Sequence, residues 1–375
     1  MGAGIALELS RRCLRVLVCE QHRAPGRGAT SLSGGLVRQH HTAHCDTKLA
    51  VRSLPIFQRW PDVIGGDCGY RQTGFAVVVA GHHRERLERN VAAVNRAGGT
   101  SGVIDVSQLA AHYPALAFAD AEEAGLVAAY EPDGGYVDAT AATLSLVAAA
   151  TRAGARYGEG VVVSGVATSG DVVRGVQTNV GTIAAPLVVL AAGAWSARLT
   201  APLGVELPFE ARRIGLAHGI VDAQVGPMPS AIDDTLGTYF RPDDTGHGLH
   251  FGVALEGAVD LDHHPMPVDR YELETARKTV AVRVPAAGST TIGGTRAGLD
   301  GYTPDHHPVI GPVGPDGLYL CAGFSGGGVK TMPAVAREVA AEIVQRKRSD
   351  LLEPYRPQRF ATGSPITSDD PYEYI

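Results

Sequence analysis

The sequence predicts an α/β fold in which a split, Rossmann-like nucleotide-binding domain carries an inserted antiparallel sheet. Three observations predict it. The run Gly317 to Met332, GLYLCAGFSGGGVKTM, reads as a buried strand, a glycine-packed turn carrying a lysine, and the opening of an amphipathic helix. Ile5 to Glu20 reads as a helix and then a strand ending in an acidic residue, the second half of a dinucleotide-binding βαβ unit. Residues 205 to 295 alternate short strand-like runs with Asp/Gly turns and histidines, the texture of antiparallel pairing. At 375 residues and 45% hydrophobic content, the chain has material for two to three domains with sizeable cores.

Along the chain, Ile5, Ala6, Leu7 and Leu9 followed by Arg11 and Arg12 predict a helix, and Leu14 to Cys19 a buried parallel strand. Glu20 then stands where a carboxylate accepts hydrogen bonds from ribose hydroxyls. Gly2 falls at the third glycine of a GxGxxG pattern, so the preceding strand and first two glycines are expected upstream of Met1. Val137 to Ala153 has helical spacing with Asp138 as its cap, and Gly160 to Ala167 is strand-like. Arg174 to Thr182 alternates as a hairpin, and Ala185 to Ala192 is a buried strand turning at Gly193 to Trp195. Leu318 to Ala322 fits a strand covered on both faces; Ala334, Val335, Val339, Ala340, Ile343 and Val344 recur at helical spacing. Blocks 1–43, 138–200 and 296–350 are therefore expected to share one parallel sheet, with 44–137 and 201–295 forming a second domain. Residues 351–375 are expected to be a C-terminal strap.

Several functions are excluded. GFSGG matches the GxSxG nucleophile elbow, but that arrangement needs an acid and then a histidine after the serine, and the last histidine, His307, precedes Ser325. A P-loop needs glycine directly before its lysine, and Val329 stands there. A net charge of −6, with its densest basic run, Arg346 to Arg348, at a helix end, argues against nucleic acid. The five cysteines are scattered without a CxxC pair, which suits packing thiols in a reducing compartment rather than structural zinc. Gln177, Asn179 and Pro186 interrupt the only long uncharged stretch, so no membrane span is expected. No signal peptide is visible, and a cytoplasmic location is expected. The doublets His40/His41, His82/His83, His263/His264 and His306/His307 raise the question of a metal. Adjacent histidines on a strand point to opposite faces, and no HExxH accompanies them, so no metal site is expected.

Three blocks together resemble the FAD-dependent D-amino-acid oxidase and sarcosine oxidase family, with its glycine oxidase and dimethylglycine dehydrogenase relatives. They are GATSLSGGLVRQHH (Gly28 to His41), VVLAAGAW (Val188 to Trp195), and TPDHHPVIGP with GLYLCAGFSGGGVK (Thr303 to Lys330). The resemblance implies an α/β protein with a split Rossmann-like FAD-binding domain and an inserted antiparallel-sheet substrate domain. It implies an oxidoreductase that moves hydride from the carbon beside an amine to flavin N5, leaving an imine that hydrolyses. Oxygen, reduced to hydrogen peroxide, or an electron carrier would accept the electrons.

The resemblance also assigns residues. Arg38 and Lys330 match the carboxylate-binding pair, where two cations aim the substrate C–H at the flavin. Ala29, Ser31, Ser33, Gly34 and Gly35 would run along the flavin, with Gly2, Glu20, Gly193 and Trp195 holding the rest of FAD. Gly326, Gly327, Gly328 and Lys330 would face its pyrimidine end, and Tyr239 and Phe251 would wall the substrate pocket. Monomeric sarcosine oxidases carry a flavin-tethering cysteine where Gly298 stands here, so non-covalent FAD is expected. Their oxygen-activating lysine lies in a Gly-Leu-Lys segment similar to Gly248-Leu249-His250, so His250 is the third catalytic candidate, with a conditional charge. That change opens a dehydrogenase, or a subunit of a sarcosine- or proline-oxidising complex, as a second expectation. A third is a cofactor-free truncated homologue or scaffold.

Overall fold

The computed structural model describes residues 1–119, 125–221, 224–255, 257–261 and 267–374. Helix α1 (Gly2–Arg11) is buried from Gly4 to Ser10. A Cβ on Gly4 would stand 2.7 Å from Met332 Sδ, so glycine lets this helix seat against a later one. Strands β1 (Leu17–Glu20) and β2 (Leu36–Val37) and helix α2 (His44–Gln58) follow. Strand β3 (Phe75–Val79), buried at every residue, leads to helix α3 (Arg84–Arg96), β4 (Gly102–Asp105), β5 (Val127–Glu131) and β6 (Gly135–Tyr136).

Asp138 caps helix α4 (Ala139–Arg152), accepting from the N–H groups of Thr140 and Ala141. Next come β7 (Arg156–Glu159), the antiparallel set β8 (Val163–Ser169), β9 (Val172–Thr178) and β10 (Gly181–Ala184), and β11 (Val188–Leu190). The second excursion holds β12 (Glu210–Ile220), β13 (Ser230–Asp233), β14 (Thr238–Pro242) and β15 (Gly248–Val253). A capping box of Asp269 and Glu272 then opens helix α5 (Arg270–Arg283), before the long strand β16 (Thr291–Tyr302). Strands β17 (Val309–Pro312) and β18 (Leu318–Ala322) lead into helix α6 (Gly328–Gln345), which takes the lysine of the glycine turn into its first turn.

The mixed α/β class follows the sequence expectation, with two differences in topology. The strands expected to share one parallel sheet form two ladders, β1 with β7 and β11 with β18 and β17. Strand β11 is shorter than the apolar run suggests and only half-buried at Val188 and Val189, because one side of it faces a cavity. The second difference is in the large sheet. Its eight strands run in the order β16-β12-β15-β14-β13-β3-β5-β4, and the interior pair β13 and β3 is parallel. These two strands come from separate excursions of the chain, so no hairpin forces them antiparallel. Ala217, Phe240, Leu249 and Phe251 turn one face of this sheet onto Ala276 and Val280 of α5. Tyr239, Arg241 and His250 alternate onto the other.

A second core joins α1, α2, α4 and α6 through Leu7, Leu49, Leu146 and Val335. The tail lies across the surface of both: Asp370 receives Arg89, and Asp234 accepts the N–H groups of Glu373 and Tyr374. Among the described residues no helix is long and apolar enough to cross a membrane. His263 and His264 lie outside the described residues.

Candidate active site

A cavity of about 1980 Å³ runs from the space between β1 and β18, past the N-terminal end of α1, to the inner face of the large sheet. It exceeds the ~300–1000 Å³ of most small-molecule pockets. Gly2 and Glu20 line one end. There the Gly2 and Ala3 N–H groups of α1 precede its first hydrogen bonds, which Gly4 and Ile5 N–H make to Met1 O, and such leading N–H groups are the arrangement that binds phosphate. Glu20 Oε1 accepts the His22 N–H at 2.9 Å; its second oxygen has no hydrogen-bond partner among the described residues. Ala29, Ser33, Gly34, Gly193 and Trp195 also line the cavity. A Cβ on Gly28 or Gly193 would meet nothing within 4 Å, so the backbone there stands open to a ligand. Gly326, Gly327, Gly328, Lys330, Arg38 and Tyr239 line the other end. An elongated dinucleotide with a flat ring system suits this sequence of groups.

Four expected site residues lie elsewhere. Ser31 does not line the cavity; its N–H and Oγ both donate to Gly28 O and close a turn. Gly35 has φ +68° and sits against Val137, whose oxygen would be 1.9 Å from a Cβ, so chain-to-chain packing explains this glycine. Phe251 is fully buried in the core on the α5 side of the sheet. His250 stacks on His218 at 4.5 Å, off the cavity wall. Burial, with help from Arg241 and His218, lowers its pKa to about 3, so it is neutral where a conditional cation was expected.

Two N–H groups of the glycine turn are taken up by bonds within the protein. Gly326 N–H donates to Asp300 Oδ2 at 2.9 Å, and Gly327 N–H donates to Phe324 O at 2.7 Å. Asp300, on β16, therefore fixes the turn from the opposite strand. Its other oxygen accepts the Gly301 N–H at 2.8 Å. Burial raises its pKa, and these two bonds oppose the rise.

Arg38 and Lys330 meet in this cavity from distant parts of the chain. Arg38 donates to His40 O, and its Nε has no partner. Lys330 Nζ donates to Gly326 O at 3.2 Å. Burial lowers the pKa of Arg38 to about 10, with Glu131 and Asp46 opposing. Burial and then Arg38 lower that of Lys330 to about 7, against Asp46 and Asp300. Among the described residues neither cation has a carboxylate oxygen within 4.0 Å. Of the nearby acids, Asp46 accepts from Tyr355 OH at 2.6 Å and stands 2.9 Å from His307 Nδ1, and Glu131 Oε2 accepts the Gln39 N–H at 2.7 Å. Two buried cations without a counter-ion form a receptor for an anion.

A pH dependence follows. Below the pKa of about 7 both cations are charged; above it Lys330 becomes neutral while Arg38 stays charged. The affinity of a small carboxylate such as acetate is expected to be highest in mild acid and to fall as pH rises through neutrality. Titration by calorimetry checks this, and a flat profile would contradict the assignment.

Sequence reasoning missed Asp300, Asp46 and His41, all of which line the cavity. Asp300 belongs to no motif, and only its pairing with Gly326 reveals it. His306 and His307 also line the cavity.

Comparison with known proteins matches residues 1–342 to the DAO family of FAD dependent oxidoreductases. The chain is 26% identical over 361 residues to the 4-methylaminobutanoate oxidase (formaldehyde-forming) of Paenarthrobacter nicotinovorans, covering 92% of this chain and 42% of that protein. It is 25% identical over 357 residues to the mitochondrial sarcosine dehydrogenase of Mus musculus, covering 89% of this chain and 37% of that one. The chain thus spans less than half the length of these two relatives. Among solved structures, the L-proline dehydrogenase from P. horikoshii superposes with a TM-score of 0.87 at 26% identity, covering 97% of this chain and 96% of that one.

Proposed function

Because the chain belongs to the DAO family of FAD-dependent oxidoreductases, we propose that it oxidises the C–N bond of a small amino acid bearing a carboxylate, with an N-substituted amino acid preferred. The observation that carries this reading is the Arg38 and Lys330 pair, buried together and without a protein carboxylate against them. The names of the relatives support the substrate class: 4-methylaminobutanoate, sarcosine and L-proline each carry a carbon substituent on nitrogen.

Gly2 and Glu20 would hold the phosphate and ribose end of FAD, and Ala29, Ser33, Gly34, Gly193 and Trp195 its length. Bound there, FAD would supply the hydride acceptor. The protein's part is placement: Arg38 and Lys330 grip the carboxylate and fix which face of the neighbouring carbon is presented. Tyr239 closes one wall, its ring packed where a Cβ on Gly34 would be 2.8 Å away. Attachment is read as non-covalent. Position 298, where the resembling oxidases carry their tethering cysteine, is a glycine and offers no sulfur.

A second reading concerns the electron acceptor. The neutral, stacked His250 leaves no cation where the resembling oxidases place their oxygen-activating lysine, which favours a carrier over oxygen. The test is direct. The purified protein, incubated with FAD and desalted, is expected to be yellow and to bleach anaerobically with sarcosine, dimethylglycine, glycine, proline or D-alanine. Recovery of colour faster with an artificial dye than with oxygen would support the carrier; the reverse order would support the oxidase. A protein that stays colourless after FAD, and turns over none of these, would overturn the proposal.

A further inference from the structure

We propose that His82, His83 and Glu373 form a site for one divalent transition-metal ion, which ties the C-terminal segment to the start of α3. One nitrogen from each histidine and one oxygen of Glu373 lie within 4.8 Å of one another. The strand geometry that would send adjacent histidines to opposite faces does not apply here. Both lie in the 3-10 turn Gly81–His83, where their ring centroids are 4.0 Å apart with 48° between the planes. His82 Nε2 already stands 3.8 Å from Glu373 Oε1.

A second observation points to a ligand. His83 is 5% exposed, and its Nε2 is buried with no hydrogen-bond partner. Leaving such a nitrogen unsatisfied is unfavourable, and metal coordination is one way to satisfy it. Tetrahedral zinc, with bonds of ~2.1 Å, needs donors roughly 3.4 Å apart. His82 and Glu373 side chains are 64% and 55% exposed, so rotation about their own bonds can close the difference. Two imidazoles, a carboxylate and a water from the open side complete four positions. Arg86 stands nearby, with Nη1 3.5 Å from His83 Nδ1, but the same nitrogen donates to Pro371 O at 2.9 Å.

The site's position gives the metal a consequence. Its ligand Glu373 adjoins Tyr372, whose hydroxyl meets His40 Nε2 at 3.0 Å and accepts from Asn90 Nδ2 at 2.9 Å. His40 in turn offers its backbone oxygen to Arg38. A metal at the strap's end would therefore hold down the tyrosine that supports the Arg38 segment.

The experiment uses the full chain, tag-free and stripped with chelator, titrated with Co(II) and then Zn(II). Saturable binding of one Co(II) with visible d–d absorption, displaced by Zn(II), is expected. Glu373→Gln is expected to weaken it at least tenfold, and His83→Gln more. Zinc should also slow proteolysis of the C-terminal segment in the wild type and not in Glu373→Gln. Because Glu373 is an exposed side chain, that variant keeps the test valid even if His83→Gln misfolds. Absence of saturable Co(II) binding, or unchanged affinity in Glu373→Gln, would overturn the site.

Discussion

Arg38→Met is expected to lower kcat/KM for carboxylate-bearing substrates by roughly a hundred- to a thousand-fold, about 3–4 kcal/mol, the range for removing one partner of a buried charge-assisted pair. Uncharged amines of the same size should lose little. Lys330→Met is expected to match this loss in mild acid and to matter less above neutrality, because the wild-type lysine, with its pKa of about 7, is then already neutral. The split between constants is informative: a rise in KM alone means uniform grip, and a fall in kcat means the cations also align the reacting carbon. Stability separates this effect from misfolding. Burial lowers the pKa of both groups, so the fold disfavours their charged forms and a neutral replacement should hold or raise Tm. Equal losses on uncharged amines, or a falling Tm, would refute the clamp.

The largest structural effect is expected at Arg283 and Asp233. Their side chains are 1% and 0% exposed, and Arg283 Nε donates to Asp233 Oδ2 at 2.5 Å. Arg283→Leu leaves a buried carboxylate without its cation, for an expected loss of about 3–5 kcal/mol. The damage should reach the tail, because Asp233 also accepts from Leu236 N–H and its neighbour Asp234 holds Glu373 and Tyr374. Denaturant unfolding of Arg283→Leu, Asp233→Asn and the pair measures it. The double variant should recover a substantial part of the loss, since neither charge is then stranded. Single variants within about 1 kcal/mol of wild type would show the pair to be dispensable.

The glycine turn shows how far residue patterns carry. Strand β18, the turn and α6 were legible because an apolar run, three glycines and a 3.6-residue repeat are local signals. Their wiring was not: Asp300 takes the Gly326 N–H from a strand 26 residues away. Gly34 and Gly35 likewise read as a flat surface for a ring, while the fold gives part of that space to Tyr239 and Val137. His250 and Phe251 were misplaced for a related reason. Alternation along β15 fixed that they face opposite ways, but which face meets α5 and which the cavity depends on partners distant in sequence.

By itself, the sequence determined the α/β class and the elements that frame the site, which short-range periodicity encodes, and its resemblance to a known family pointed to a flavoprotein and to Arg38 and Lys330. Only the tertiary structure decided that Arg38 and Lys330 share one cavity without a counter-ion, that Asp300 secures the turn, and that His250 is neutral. Charge state and pairing depend on burial and on neighbours that folding brings together from as far as 292 positions apart, and a linear pattern holds neither.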